Sequence, residues 1–189
     1  MNRKKLIWPF LAAILTLHSC SEEDGFTPST DPSTKPTYTC SYEIHFAKDI
    51  LSYADVVIAM KDPATQTVHR DTIENLQDIP SFCSIQETSL NNIPFISCKA
   101  TFTQIPEQVH YQLYCYYLLN EEKSAQISQD TKLQYQKAGT SIICKGDDGS
   151  TQSFTNAGAT SSASFEFIKR IYEISPTRFE QTHEGTFPQ

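Results

Sequence analysis

Polar and aromatic side chains alternate with apolar ones along residues 109–119. The odd-numbered positions of this stretch are apolar, which predicts a β-strand with one buried face. The even-numbered positions then share the wet face and include His110, Gln112, Tyr114 and Tyr116. Two tyrosines two residues apart on one face predict a flat stacking platform for a sugar or a peptide. The alternative, that another segment such as a late helix covers this face, stays open at the level of sequence.

The cysteines are the second group of reactive side chains, and five of them follow Cys20, which is discussed below. An odd number means that at least one is unpaired or pairs with another chain. Residues 94–103 and 109–119 flank a turn near residue 106, which predicts a β-hairpin. One register of that hairpin pairs Cys98 with Cys115, and the other pairs Cys98 with Leu113. A Cys98–Cys115 disulfide and two buried thiols therefore both remain open.

Motifs that would indicate catalysis, a cofactor or a metal are missing from the chain. No C-x-x-C, H-x-x-x-H or G-x-S-x-G spacing occurs, and a chain with 6 glycines has no phosphate-cradling loop. The Asp147-Asp148-Gly149 stretch lacks the further acids of a calcium loop and predicts a hairpin turn instead. We therefore expect no catalytic residues, no metal and no cofactor. A hydrolase whose site is assembled from dispersed residues is the remaining enzyme hypothesis.

The N-terminal segment predicts export. A basic start (NRKK, residues 2–5) precedes an apolar run over residues 6–17, which is too short to span a membrane. The run ends in LHSC (residues 17–20), which resembles the lipobox of bacterial lipoproteins. The resemblance implies that residues 1–19 are a signal peptide, that Cys20 becomes the first residue, and that Cys20 is acylated. The partner it implies is the membrane, through a lipid anchor.

Residues 20–37 are rich in proline, serine and threonine and predict an extended tether with a reach of roughly 50 Å. The acids at positions 22–24 resemble the surface-export signal of lipoproteins in one large group of Gram-negative bacteria. This resemblance implies an outer-membrane protein exposed at the cell surface, with a periplasm-facing location as the alternative.

The charge balance disfavours nucleic-acid binding. The chain of 189 residues has 15 basic and 22 acidic side chains and a net charge of −7. Removal of the signal peptide takes away Arg3, Lys4 and Lys5 and makes the balance more acidic. An acidic surface repels phosphate backbones.

Hydrophobic patterning in the remainder predicts one mainly β domain over residues 38–189. Residues 55–61 are apolar on both faces and predict a central strand, and the polar residues 66–73 predict an edge strand. Residues 164–174 predict one short helix, capped by serine and stopped before Pro176. The last ten residues predict a frayed end, and residues 120–137 fit either a loop or a ragged hairpin. The other predicted strands cover residues 37–46, 81–88, 94–103, 109–119 and 140–144.

These elements indicate a single β-sandwich of seven or eight strands with a short C-terminal helix. The stretch KDILSYADVVI (residues 48–58) is similar to a segment of small lipoproteins from the same bacteria. That resemblance implies an immunoglobulin-like sandwich without an assigned activity, and it carries over no functional residues. The leading hypothesis is a non-catalytic, surface-exposed binding module with an unknown protein or glycan ligand. An accessory glycan-binding lipoprotein of a carbohydrate-uptake system is the alternative.

Overall fold

The computed structural model describes residues 35–188, apart from the side chains of Gln136, Lys137 and Ala159. The predicted signal peptide (residues 1–19), the predicted lipidation site Cys20 and most of the predicted tether lie outside the described residues. Within them the chain forms eleven strands and two α-helices. The strands are β1 (Thr37–Ala47), β2 (Ala54–Lys61), β3 (Val68–Ile73), β4 (Ser84–Leu90), β5 (Ile93–Pro106), β6 (Val109–Leu119), β7 (Lys132–Lys137), β8 (Gly139–Gly146), β9 (Thr151–Asn156), β10 (Ala159–Ser164) and β11 (Gln181–Phe187). The helices are α1 (Glu121–Ser124) and α2 (Phe165–Ile174), and short 3-10 turns cover Lys48–Ser52 and Pro176–Phe179.

The strands form two large sheets and a ribbon. Sheet A has the order β4-β5-β1-β8-β9, and sheet B has the order β11-β6-β2-β3. The strands β7 and β10 pair with each other as a separate two-stranded ribbon. Every pairing between neighbouring strands is antiparallel. The predicted fold class, mainly β and sandwich-like with one short C-terminal helix, is confirmed.

The core lies between sheets A and B. Alternation in β1 and β6 buries every second side chain, as the sequence predicts. Aromatic rings from one sheet pack edge-on or tilted against rings from the other, which adds directional contacts to the burial of apolar area. Three such pairs have centroids 5.1–6.3 Å apart: Tyr38 with Phe187, Phe46 with Tyr117, and Tyr111 with Phe154.

The order of strands in sheet B confirms two predictions, the central position of β2 and the edge position of β3. The strand β2 lies between β6 and β3 and buries Val57 and Ala59 as well as the residues on its inner face. The polar strand β3 lies at the edge of the sheet. Side chains of the two neighbouring strands shield those of a central strand, so apolar residues are suited to it, whereas an edge strand tolerates polar ones.

The predicted late helix is also confirmed. The Ser164 side chain accepts a hydrogen bond from the backbone N–H of Phe167 and caps α2. The buried residues Ile168 and Tyr172 lie on one face of the helix, one turn apart. On that face the ring of Tyr172 packs edge-on against the ring of Tyr53, with centroids 6.1 Å apart.

The predicted hairpin over residues 94–119 is wrong. The strand β5 pairs with β1 and β4 in sheet A, whereas β6 pairs with β2 and β11 in sheet B. Residues 107–108 carry the chain from one sheet to the other, and both Glu107 and Gln104, near the end of β5, have positive φ. Alternation shows which face of a strand is buried but not which strand lies beside it, so a hairpin and a crossover between packed sheets look alike in sequence.

The count of seven or eight strands is too low, and the prediction of a frayed C-terminus is wrong. The strand β11 pairs with β6 along its whole length, and Phe187 is buried at its end. The region 120–137, left open between a loop and a hairpin, contains α1 and β7, and β7 pairs with the distant β10. These strands are short and polar, so their partners rather than their own patterns determine them.

Among residues 35–188 no helix is both long enough and apolar enough to cross a membrane.

Candidate ligand-binding face

The four predicted platform residues lie together on the outer face of sheet B. They alternate along β6 with the buried positions that face the core. His110 is exposed, and Gln112, Tyr114 and Tyr116 are half-buried. The placement of these side chains on one solvent-facing surface follows from the period of two in an extended strand.

The neighbouring strands complete a row of side chains across this face. Thr182 of β11 lies opposite Tyr114, Tyr114 lies opposite Ala59 of β2, and Ala59 lies opposite Arg70 of β3. Directly opposed residues in antiparallel strands project to the same side of a sheet. The methyl group of Ala59 is much shorter than the tyrosine and arginine side chains on either side. A depression with a volume of about 350 Å³ forms there.

We call this depression the Ala59 slot. Its lining combines a small apolar floor, an aromatic wall and polar groups that can donate or accept hydrogen bonds. The lining residues are Ala59, Val68, Arg70, Gln112, Tyr114 and Thr182.

Arg70 is held in place by Tyr116. One guanidinium nitrogen, Nη2, donates a hydrogen bond to the Tyr116 hydroxyl oxygen. The guanidinium carbon lies 5.7 Å from the centroid of the same ring, within the range of a cation–π contact. Arginine has five N–H donors, so a guanidinium fixed by one of them still has others for a ligand. Tyr116 therefore acts through Arg70 and does not line the slot itself.

The two tyrosines do not form the flat platform that the sequence predicts. Their ring centroids are 5.2 Å apart, but the ring planes are inclined by 47°. Tyr114 is the only one of the two that lines the slot. A planar ligand can stack on one ring of such a pair but not on both at once.

The late helix does not cover the slot. Residues Tyr172 and Glu173 of α2 line a neighbouring depression together with Tyr116 and Leu118. No residue of α2 is among those that line the Ala59 slot. Within residues 35–188 the helix therefore leaves the slot uncovered and approaches only the next part of the same sheet face.

Charges around the slot are of both signs. Burial and the nearby carboxylate of Glu180 raise the pKa of Tyr114, so its hydroxyl stays a hydrogen-bond donor at neutral pH. The side-chain amide of Gln112 donates a hydrogen bond of 3.4 Å to the carboxylate of Glu184, which lies opposite it on β11. His110 and Thr186 form another side-chain contact at 3.3 Å, further along the same two strands.

Other residues named from the sequence lie elsewhere. Cys98 and Cys115 are both buried free thiols, on sheet A and sheet B respectively. The hairpin register that suggested a disulfide between them does not exist, because β5 and β6 are not paired. Within residues 35–188 no three His, Cys, Asp or Glu side chains are grouped so that they could hold a metal ion.

Sequence reasoning missed four of the six residues that line the slot: Ala59, Val68, Arg70 and Thr182. Arg70 belongs to a stretch whose polarity correctly indicated an edge strand, but nothing in that stretch points to Tyr116. The sheet order β11-β6-β2-β3 aligns these residues, and it depends on long-range pairing. Knowledge of the strand order would have been the only usable signal.

Comparison of the chain with protein-family models, with curated proteins and with solved structures gives no significant match.

Proposed function

We propose that the chain is a lipid-anchored, surface-exposed and non-catalytic binding module whose ligand occupies the Ala59 slot. The observation that carries this proposal is the slot itself: an open depression of about 350 Å³ between an aromatic ring and a fixed guanidinium. Concave sites with apolar walls and a few converging polar groups are the usual form of ligand sites in proteins.

The anchor and location belong to the same proposal. The resemblance of residues 17–20 to a lipobox supports acylation of Cys20, and the acids that follow support display on the outer membrane. The similarity to small immunoglobulin-like surface lipoproteins supports the same assignment. A domain on a tether reaches ligands beyond the membrane surface.

A glycan is the ligand class that one observation favours. The slot places a tyrosine ring beside the side chains of Arg70, Gln112 and Thr182. Sugars present an apolar ring face and a rim of hydroxyl groups, so one stacking ring with several polar neighbours suits them. An accessory role in carbohydrate uptake is therefore the second form of the proposal. The inclined rings of Tyr114 and Tyr116 favour a single stacked sugar unit over a long flat chain.

The proposal is tested by measuring binding of the purified protein to a glycan array and to a surface-peptide library. We expect Tyr114→Ala to weaken binding about 10-fold or more, because it removes the one aromatic ring of the slot and with it about 1.5 kcal/mol or more of buried apolar contact. Ala59→Leu should also weaken binding, because it fills the slot from its floor.

Ile143→Ala is the matched control, since Ile143 is an exposed apolar residue on sheet A. Thermal melts of each variant separate loss of a ligand site from loss of folding. Binding that survives both slot variants would rule out the slot, and an absence of any glycan ligand would eliminate the glycan form. Replacing Cys20 with Ala should move the protein into the soluble fraction, and continued membrane retention would contradict the anchor.

A further inference from the structure

Two buried thiols face each other on the central strands of sheet A. Cys40 of β1 lies directly opposite Cys144 of β8. Both residues are 0% exposed and lie on the inner face of the sheet. Directly opposed residues are the closest cross-strand neighbours that an antiparallel pair offers.

The pattern of backbone hydrogen bonds between β1 and β8 shows which kind of cross-strand pair the two cysteines form. The backbone N–H of Asp147 donates to the carbonyl oxygen of Thr37 at 3.0 Å, and these two residues continue the β1–β8 register by one step. Such a bond joins directly opposed residues only at a hydrogen-bonded pair, and the two kinds of pair alternate along an antiparallel ladder. Cys40 and Cys144 are three steps further along. They therefore form a non-hydrogen-bonded pair, the kind in which side chains approach more closely.

The proximity of the Cys144 thiol, together with burial, raises the pKa of the Cys40 thiol, as expected for two facing buried thiols. A disulfide requires Cβ atoms about 3.5–4.5 Å apart. Facing Cβ atoms in antiparallel sheets are about 4.5–5.5 Å apart and lie at the short end in non-hydrogen-bonded pairs. Closing the bond therefore needs a backbone adjustment of less than about 1 Å.

The remaining thiols have less suitable partners. Cys98 lies opposite Ile85 and interacts with Cys83, which precedes β4 and is offset along the strand. Cys115 lies opposite Ile58 in β2 and Gln181 in β11, neither of which is a cysteine. Among the five cysteines of residues 35–188, Cys40 and Cys144 are thus the pair that the strand register places directly opposite each other.

We propose that Cys40 and Cys144 form a disulfide bond that joins β1 to β8 when the protein folds under oxidising conditions. The two thiols lose two protons and two electrons as the S–S bond forms. The oxidant is a disulfide of the thiol–disulfide oxidoreductase class, or of glutathione, and it leaves as two thiols. In the cell the proposed bond depends on the export that is part of the proposed function, because the compartments that receive exported proteins contain such oxidants.

Peptide mapping tests the bond directly. The full chain is reduced and unfolded, refolded in a buffer of oxidised and reduced glutathione, and treated with N-ethylmaleimide to block the remaining thiols. Digestion with Glu-C and trypsin then releases residues 24–43, which contain Cys40 alone, and residues 138–145, which contain Cys144 alone. We expect these peptides to appear joined and two hydrogens lighter than their sum. Recovery of both peptides alkylated, or of Cys40 joined to another cysteine, would overturn the pairing.

The same mapping on protein trapped with N-ethylmaleimide in intact cells separates the two proposals. The joined peptides in both samples support the disulfide and the oxidising location together. Joined peptides after refolding but alkylated peptides from cells would support the pairing and count against the location.

Stability measured with and without reductant provides a second test. The comparison is made within each variant, so it stays informative even when a variant is less stable than the wild type. A disulfide that closes a long loop should lower the unfolding equilibrium constant roughly 30- to 1000-fold, measured with and without reductant. Cys144→Ala should abolish most of this reductant-dependent difference, and the matched control Cys115→Ala should retain it. An equal difference in both variants would contradict the Cys40–Cys144 bond.

Discussion

Phe187 tests whether the C-terminal strand is an integral part of the domain. This residue lies at the end of β11, opposite Val109, and is 5% exposed. Its ring packs edge-on against Tyr38 of β1, with centroids 5.3 Å apart. Phe187 therefore connects sheet B to sheet A at the last residue of the last strand, and we predict that Phe187→Ala destabilises the whole domain.

The magnitude follows from burial and position. Replacing a buried phenylalanine with alanine costs about 3–5 kcal/mol through lost transfer energy and the cavity left behind. Phe187 lies on an edge strand where neighbours can relax into part of the cavity, so we expect the low end, about 3 kcal/mol. With a urea m-value of about 2 kcal/mol per molar for a domain of this size, the midpoint should fall by about 1.5 M.

Urea titration followed by circular dichroism and by tyrosine fluorescence measures this shift. Phe167→Ala is the matched control, since Phe167 is 49% exposed on α2 and should lose about 1 kcal/mol or less. If β11 merely frayed, the cost would be limited to the small free energy of its local opening. A Phe187→Ala midpoint within about 0.25 M of the wild type would refute the reasoning.

Three further predictions concern an ion pair, a turn and a thiol. Asp55→Ala should lower the free energy of unfolding by about 2 kcal/mol in urea titration. It removes the carboxylate that lies 2.7 Å from the largely buried ammonium of Lys123 and leaves that ammonium only the backbone carbonyl oxygens of Ala54 and Glu74. The exposed ion-pair variant Glu87→Ala should lose less than about 1 kcal/mol in the same assay, and equal losses would contradict the role of burial. Gly149→Ala should lower the free energy of unfolding by about 1 kcal/mol in thermal melts, because φ is +85° there and strains an alanine backbone. The space around the new methyl group is empty, so no clash contributes. An unchanged melting temperature would contradict this strain. Cys115 should react with N-ethylmaleimide only after unfolding, because the residue is fully buried and burial raises the pKa of its thiol; mass spectrometry of the native protein detects any earlier labelling, which would contradict this burial.

The candidate site shows which of its features can be predicted from the residue pattern of a single strand. Alternation along β6 correctly placed Tyr114 and Tyr116 on one outer face, since the period of two is a local property of extended backbone. The angle between their rings and the position of Arg70 over Tyr116 depend on packing between β6, β2 and β3. The slot exists because Ala59 lies between two long side chains in a row that no single strand contains.

The cysteines show the same division between local and long-range information. Their number and the N-terminal segment can be read from the chain, and they raise the question of disulfides. The register that would pair Cys98 with Cys115 requires β5 and β6 to form a hairpin, and they lie in different sheets. The face-to-face arrangement of Cys40 and Cys144 joins strands about a hundred residues apart, a distance at which no turn geometry constrains the register.

The amino-acid sequence by itself determined the mainly β class, the buried faces of β1 and β6, the central position of β2, the edge position of β3 and the capped helix α2. These features follow from residue-by-residue preferences and from the period of side-chain burial. Tertiary structure alone decided which strands are neighbours, that β11 completes sheet B, and that the slot forms at Ala59. The physical reason is that backbone hydrogen bonds between strands are alike for all residues, so partner choice depends on how all the buried faces pack together at once.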